Sequence, residues 1–136
     1  MKLFCWGANN YGQLGIGHMS EQETLPRIVN LDNISELCVE NIKSIIGGGG
    51  HTVLLTKGGE VFVCGWNKAG QLGLGHTNNV DKFAKVDLGD NFIEEVAAGW
   101  DFTILLDKTG TLLCCGSNSF GQLGNYSIVR SFLLIL

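Results

Sequence analysis

Short apolar runs alternate along the chain with clusters of glycine, and no stretch keeps a helical period. Val53 to Leu55 and Val61 to Cys64 flank Lys57-Gly58-Gly59, and Ile104 to Leu106 and Leu112 to Cys115 flank Lys108-Thr109-Gly110. Two β-prone runs around a glycine turn predict a hairpin, because glycine reaches the positive φ that such turns demand. The segments of type N-x-x-G-Q-L-G hold too many glycines for a helix interior, where each costs about 1 kcal/mol relative to alanine. They predict turns and closely packed backbone. A lone hairpin is marginal in water, so the hairpins must pack on one another.

The pattern also recurs. LFCWGANNYGQLGIGH at 3–18 returns as VFVCGWNKAGQLGLGH at 61–76 and as LLCCGSNSFGQLGNYS at 112–127, at spacings of 58 and 51 residues. Upstream, IIGGGGHTVLLTKGGEVFVCG at 45–65 aligns without a gap with VAAGWDFTILLDKTGTLLCCG at 96–116. A repeat of this length made of short strands predicts an all-β fold, a partial β-propeller of about two to three blades built from repeats of about 51 residues, with about four strands per blade. Parallel β-helix repeats are much shorter. The units run 3–58, 61–109 and, in part, 112–127, so that 1–127 is repeat and 128–136 a divergent apolar tail. An open stack exposes an apolar face at each end. One expectation is that the last dozen residues are an alternative ending, from splicing or a shifted reading frame, on a longer propeller. The other is a short protein that oligomerises to cover its blade faces. The tail Ile128 to Leu136 either adds a strand or stays free.

The paired wording G-x-N-x-x-G-Q-L-G-x-G and V-A-A-G-x-x-x-T-x-x-L-x-x-x-G resembles the regulator of chromosome condensation repeat over residues 3–127. In that family an exchange-competent propeller presents loops on one face to a small GTPase, and acidic or histidine side chains in them contribute to exchange. The resemblance places Gly49 and Gly50 of one repeat, and Trp100 and Asp101 of the next, in those loops. Phe102 stands where the family commonly has histidine and where the preceding repeat has His51. Candidate partner-binding residues are therefore Trp100, Asp101, Gly49, Gly50 and His51. Gly49 and Gly50 carry no side chain, which weighs against exchange and leaves half of the face bare. The implied partner is a small GTPase or a secretory tethering protein, and the implied location is the cytoplasm, with the nucleus as a second compartment. Exchange acts through differential affinity for two states of a partner, so no covalent chemistry, cofactor or metal is expected. The rival readings are a protein-protein interaction scaffold without exchange and an inactive truncated form.

Composition narrows the field. Of 136 residues 45% are hydrophobic and 16% charged, enough for a core. The net charge of −4 argues against nucleic-acid binding, which needs clustered Lys and Arg. Acid is concentrated between Glu21 and Glu40, where five carboxylates face the single Arg27, and this stretch predicts an acidic surface loop with a turn of helix near Ser35. Trp6, Cys64 and Cys115 share one repeat position, and Cys5, Val63 and Cys114 the next. Cysteines that interchange with apolar residues read as reduced core residues rather than bridges. His18 and His76 occupy equivalent positions in successive repeats, which sets them apart rather than around one ion. Gly47 to Thr52 lacks the lysine of a phosphate-binding loop, and the glycines at 70–75 open no helix. The start MKLFCWGANN reads directly as repeat rather than as a signal peptide, and Phe132 to Leu136 is too short to span a bilayer. The sequons Asn33-Ile34-Ser35 and Asn125-Tyr126-Ser127 read as accidental.

Overall fold

The computed structural model describes residues 1–32 and 34–124 with their side chains, and residues 130–135 as backbone. Among these residues the chain forms three antiparallel sheets. β1 (Phe4–Ala8) and β2 (Gln22–Ile28) make a two-stranded sheet. β3 (Ile42–Gly47), β4 (His51–Thr56), β5 (Val61–Gly65) and β6 (Val80–Lys85) follow one another across a central blade. β7 (Ile93–Ala98), β8 (Phe102–Asp107), β9 (Leu112–Ser117) and β10 (Arg130–Ile135) do the same in the last blade. The chain is all-β and its sheets stand as part of a propeller.

The expected hairpins are β4–β5 and β8–β9, with Val53 opposite Val63 and Ile104 opposite Cys114. Their glycine turns close through Gly59 N donating to Thr56 O at 3.1 Å and Gly110 N to Asp107 O at 3.0 Å. Part of the tail is a strand: β10 pairs with β9, with Arg130 opposite Ser117. The rest of that segment, the second sequon and Asn33 of the first lie outside the described residues.

The 61–109 sequence unit starts at the third strand of one blade and ends after the second strand of the next. Each repeat therefore straddles a seam, and the covalent chain itself ties neighbouring sheets together. In the central blade, alternate residues of the same strands face opposite seams. Leu54, Phe62 and Cys64 pack with Phe83, Val29, Leu31 and Leu37 toward the two-stranded sheet. Val53, Leu55, Val61 and Val63 pack with Ile93, Leu105 and Leu113 toward the last blade. Burial on both faces is why β5 reads as an unbroken apolar run. A side chain like Phe62, with no exposed surface, contributes about 1.5–3 kcal/mol through the water it sheds.

The acidic stretch is not the solvated loop that its composition suggests. Its first third is β2, an edge strand that tolerates Pro26 because no partner needs that N–H. Glu23 is buried: its carboxylate accepts from Arg27 Nε at 2.7 Å, from Ser20 Oγ at 2.8 Å and meets His18 Nε2 at 3.1 Å. These contacts, Arg27 first, then His18 and Ser20, hold it down at about 2. The chain turns at 34–36, and a short 3-10 turn falls at Val39–Asn41 rather than at Ser35. Leu31 and Leu37 anchor this longer connection in the core.

Candidate functional site

Because strand direction alternates, segments 9–21, 48–50, 66–79, 99–101 and 118–124 all emerge at the same end of the sheets. The recurring Asn and Gln build them. Asn67, fully buried, accepts from Leu72 N at 3.0 Å and donates to His76 O at 2.8 Å and Asn78 O at 3.0 Å. Gln71 Oε1 accepts from Ala69 N at 2.9 Å. Asn9 and Gln13 repeat this geometry in the first segment, and Asn118 and Gln122 in the last. Side chains thus satisfy backbone groups that a glycine-rich loop leaves without a ladder.

A polar latch holds each seam. Thr52 Oγ1 donates to Gln13 O at 2.7 Å, and Thr103 Oγ1 donates to Gln71 O at 2.7 Å. Cys64 and Cys115 add weak S–H donors to the same two carbonyls, at 3.5 and 3.3 Å. The second seam has one more member, His51, whose Nε2 lies 2.9 Å from Thr103 Oγ1. Since the Thr103 proton is committed to Gln71, the histidine must donate there, which leaves its Nδ1 deprotonated. That atom is buried without a partner. Burial pushes His51 down to about 4, against the opposing charge of Asp101, so the ring is neutral near pH 7.

Directly above this latch stand the loops singled out by the sequence. The rings of His51 and Phe102 sit against Gly48 and Gly99 so closely that a Cβ at either glycine would collide with them. Gly49 N donates to Trp100 O at 3.0 Å, and a Cβ at Gly49 would stand 2.7 Å from the indole Cδ2. Gly50 lies under Tyr11 and Trp66, whose rings stack with centroids 5.4 Å apart. The glycines therefore do not leave half of the face bare: they are seats for aromatic rings from neighbouring segments. Trp100 packs on the adjacent blade and still keeps 71% of its surface exposed.

The structure thus brings Gly49, Trp100 and Asp101 together at the surface and puts His51 beneath them, 1% exposed, where a partner could not touch it without moving the loops. Asp101 is half-buried. Its carbonyl accepts from Ser117 N at 2.9 Å, while its carboxylate has no hydrogen bond or ion pair among the described residues. A cleft of about 370 Å³ opens between the two loops, lined by Gly47, Gly48, Gly49, Ala98, Gly99 and Trp100. Sequence reasoning missed Tyr11 and Phe120, which hold equivalent repeat positions on this face, Phe120 with 94% exposure. It also missed the Thr52 and Thr103 latches, although both threonines recur at the repeat spacing.

Elsewhere the candidate chemistry resolves into structure. The five cysteines are free thiols, with Cys64, Cys114 and Cys115 buried. Burial lifts Cys115 to about 12. His18 meets Glu23, and His76 Nδ1 accepts from Asn78 N at 3.1 Å. Among the described residues no three His, Cys, Asp or Glu side chains gather as a metal site, and no helix is long and apolar enough to cross a membrane.

The profile of the regulator of chromosome condensation (RCC1) repeat matches residues 2–55 and 58–106. The chain belongs to the RCC1 repeat family. This RCC1-repeat chain is 54% identical over 124 residues to the secretion-regulating guanine nucleotide exchange factor of Mus musculus, across 90% of its own length and 25% of that protein. It thus spans about a quarter of the length of that relative. Among solved structures it superposes on human WBSCR16 with a TM-score of 0.83 at 26% identity, over 98% of this chain and 34% of that one. Prp20p from Saccharomyces cerevisiae gives a TM-score of 0.81 at 22% identity, over 96% of this chain and 33% of that one, a likeness of fold.

Proposed function

We propose that this chain is a guanine nucleotide exchange factor-like module that docks a small GTPase, in a pathway of regulated secretion, through the glycine-seated loops around Trp100 and Asp101. The observation that carries the reading is the pairing of a highly exposed indole with a carboxylate that has no partner among the described residues, on a loop pair latched from below, in a chain so similar to an exchange factor. Tryptophan is enriched among residues that dominate binding energy. The loops act without covalent chemistry, by preferring the nucleotide-free form of the partner over the loaded one. Cytoplasm is the location that suits such a partner, with the nucleus as a second compartment.

The test is release of a fluorescent GDP analogue from a panel of purified small GTPases, with the chain, Trp100→Ala and Asp101→Ala. Accelerated release that both substitutions abolish, with unchanged folding, supports the reading. Binding without acceleration in the parent chain selects the second reading, a protein-protein scaffold. That alternative is favoured by Gly49 and Gly50, which contribute aromatic seats rather than side chains of their own. Absence of both binding and release refutes the docking role.

A further inference from the structure

We propose that the cleft between the 47–49 and 98–100 segments receives an arginine side chain of the partner protein, its guanidinium laid against the Trp100 indole and neutralised by Asp101. The inference rests on the docking role given above and names the chemistry of the contact. Three observations lead to it. First, the glycine donors of the cleft are spent: Gly48 N bonds His51 O at 2.8 Å, Gly49 N bonds Trp100 O at 3.0 Å and Gly99 N bonds Phe102 O at 2.9 Å. The carbonyls of Gly48, Gly49 and Gly99 receive no hydrogen bond among the described residues, so the glycine walls present acceptors. Second, beside the small Ala98 its wall is an indole with most of its surface open, and the face of an indole attracts cations. Third, Asp101 stands next to the lining residue Trp100 rather than in the lining itself, its charge acts on His51, the ring that supports Gly48, and among the described residues its carboxylate has no hydrogen bond or ion pair. Among the described residues no Lys or Arg lines the cleft.

Glycine carbonyls and a π face with a carboxylate beside them disfavour anions and reward a planar group rich in N–H donors. Guanidinium meets all three demands at once, stacking on the indole while its edge donates to carbonyls and carboxylate, whereas the compact ammonium of lysine cannot stack.

The experiment is an NMR titration of the 136-residue chain with N-acetylarginine amide, and in parallel with its uncharged citrulline counterpart. The Trp100 indole signal is assigned by Trp100→Phe. The expected result is a saturable shift of the Trp100 indole N–H and the Gly48 and Gly49 amides with arginine, and affinity lower by about tenfold for citrulline and for arginine on Asp101→Asn. Trp66, which stacks on Tyr11 away from the cleft, should report retained folding in the variant. Equal response to citrulline, shifts confined to Trp6 or Trp66, or no shift at all would overturn the proposal. If arginine fails to bind while the chain still releases nucleotide from a GTPase, only the arginine assignment falls. If arginine binds and no GTPase responds, the docking reading falls and the site keeps its chemistry.

Discussion

Phe4 and Phe62 hold the same place in the repeat, as do Trp6 and Cys64, and Gly7 and Gly65. In the two-stranded sheet Phe4 is 47% exposed and Trp6 62%; in the central blade Phe62 and Cys64 have no exposure. The strands and loop geometry are nevertheless alike: Gly7 and Gly65 sit at φ of 107° and 106°, and Asn9 and Asn67 pin their loops through the same contacts. Local structure in this fold is written by each repeat for itself. Its free energy comes from the neighbours, so equivalent substitutions in the two regions should have unequal effects.

The widest gap is expected for the phenylalanines. Phe62→Ala should cost about 3–5 kcal/mol in urea unfolding, and Phe4→Ala less than about 1 kcal/mol; equal losses would mean that the two-stranded sheet is as enclosed as the central blade. His51 comes next. Its folded value of about 4 lies below the ordinary 6.5, so the unfolded chain takes up the proton first as pH falls. Stability supplied by the neutral ring should therefore be complete above pH 6.5 and decline by about 3 kcal/mol toward pH 4. His51→Phe, the residue used at the equivalent Phe102, should flatten that dependence while changing stability at pH 7 by no more than about 1 kcal/mol. An unchanged pH profile in the variant would place the dependence on other groups.

The glycines give a finer comparison. A Cβ at Gly65 would stand 2.5 Å from Gly50 O, whereas at Gly7 it meets nothing within 4 Å. Both alanine variants carry left-handed strain, and Gly65→Ala should lose about 1–3 kcal/mol more through overpacking. Thermal unfolding of the pair checks this. Smaller again is the contrast between latches. Thr103→Val strands His51 Nε2 and leaves Gln71 O with only the weak Cys115 thiol donor, whereas Thr52→Val leaves Gln13 O with only Cys64, so the former should exceed the latter by about 1 kcal/mol.

The all-β class, the repeat period and the β4–β5 and β8–β9 hairpins were legible because their apolar runs flank glycine turns. β2 and β6 were not, since an edge strand half in water keeps no strict alternation, and in β2 the acids and Pro26 imitate a loop. At the candidate site, the repeat alignment picked out Trp100 and Asp101 as loop residues. It could not reveal that Gly49 is bare because Trp100 occupies the space, nor that His51 turns inward, because both depend on contacts between segments 51 residues apart. The recurrence of Thr52 and Thr103 was visible, but the seam carbonyls that give it meaning were not.

The proposed docking surface is the loop face latched from below by Thr103. Its most direct test is GTPase binding by the parent chain, Trp100→Ala and Thr103→Val, measured by calorimetry alongside thermal unfolding. The predicted result is that Trp100→Ala abolishes binding while leaving stability within about 1 kcal/mol of the parent. Undiminished binding by Trp100→Ala, with the same affinity and heat, would contradict it.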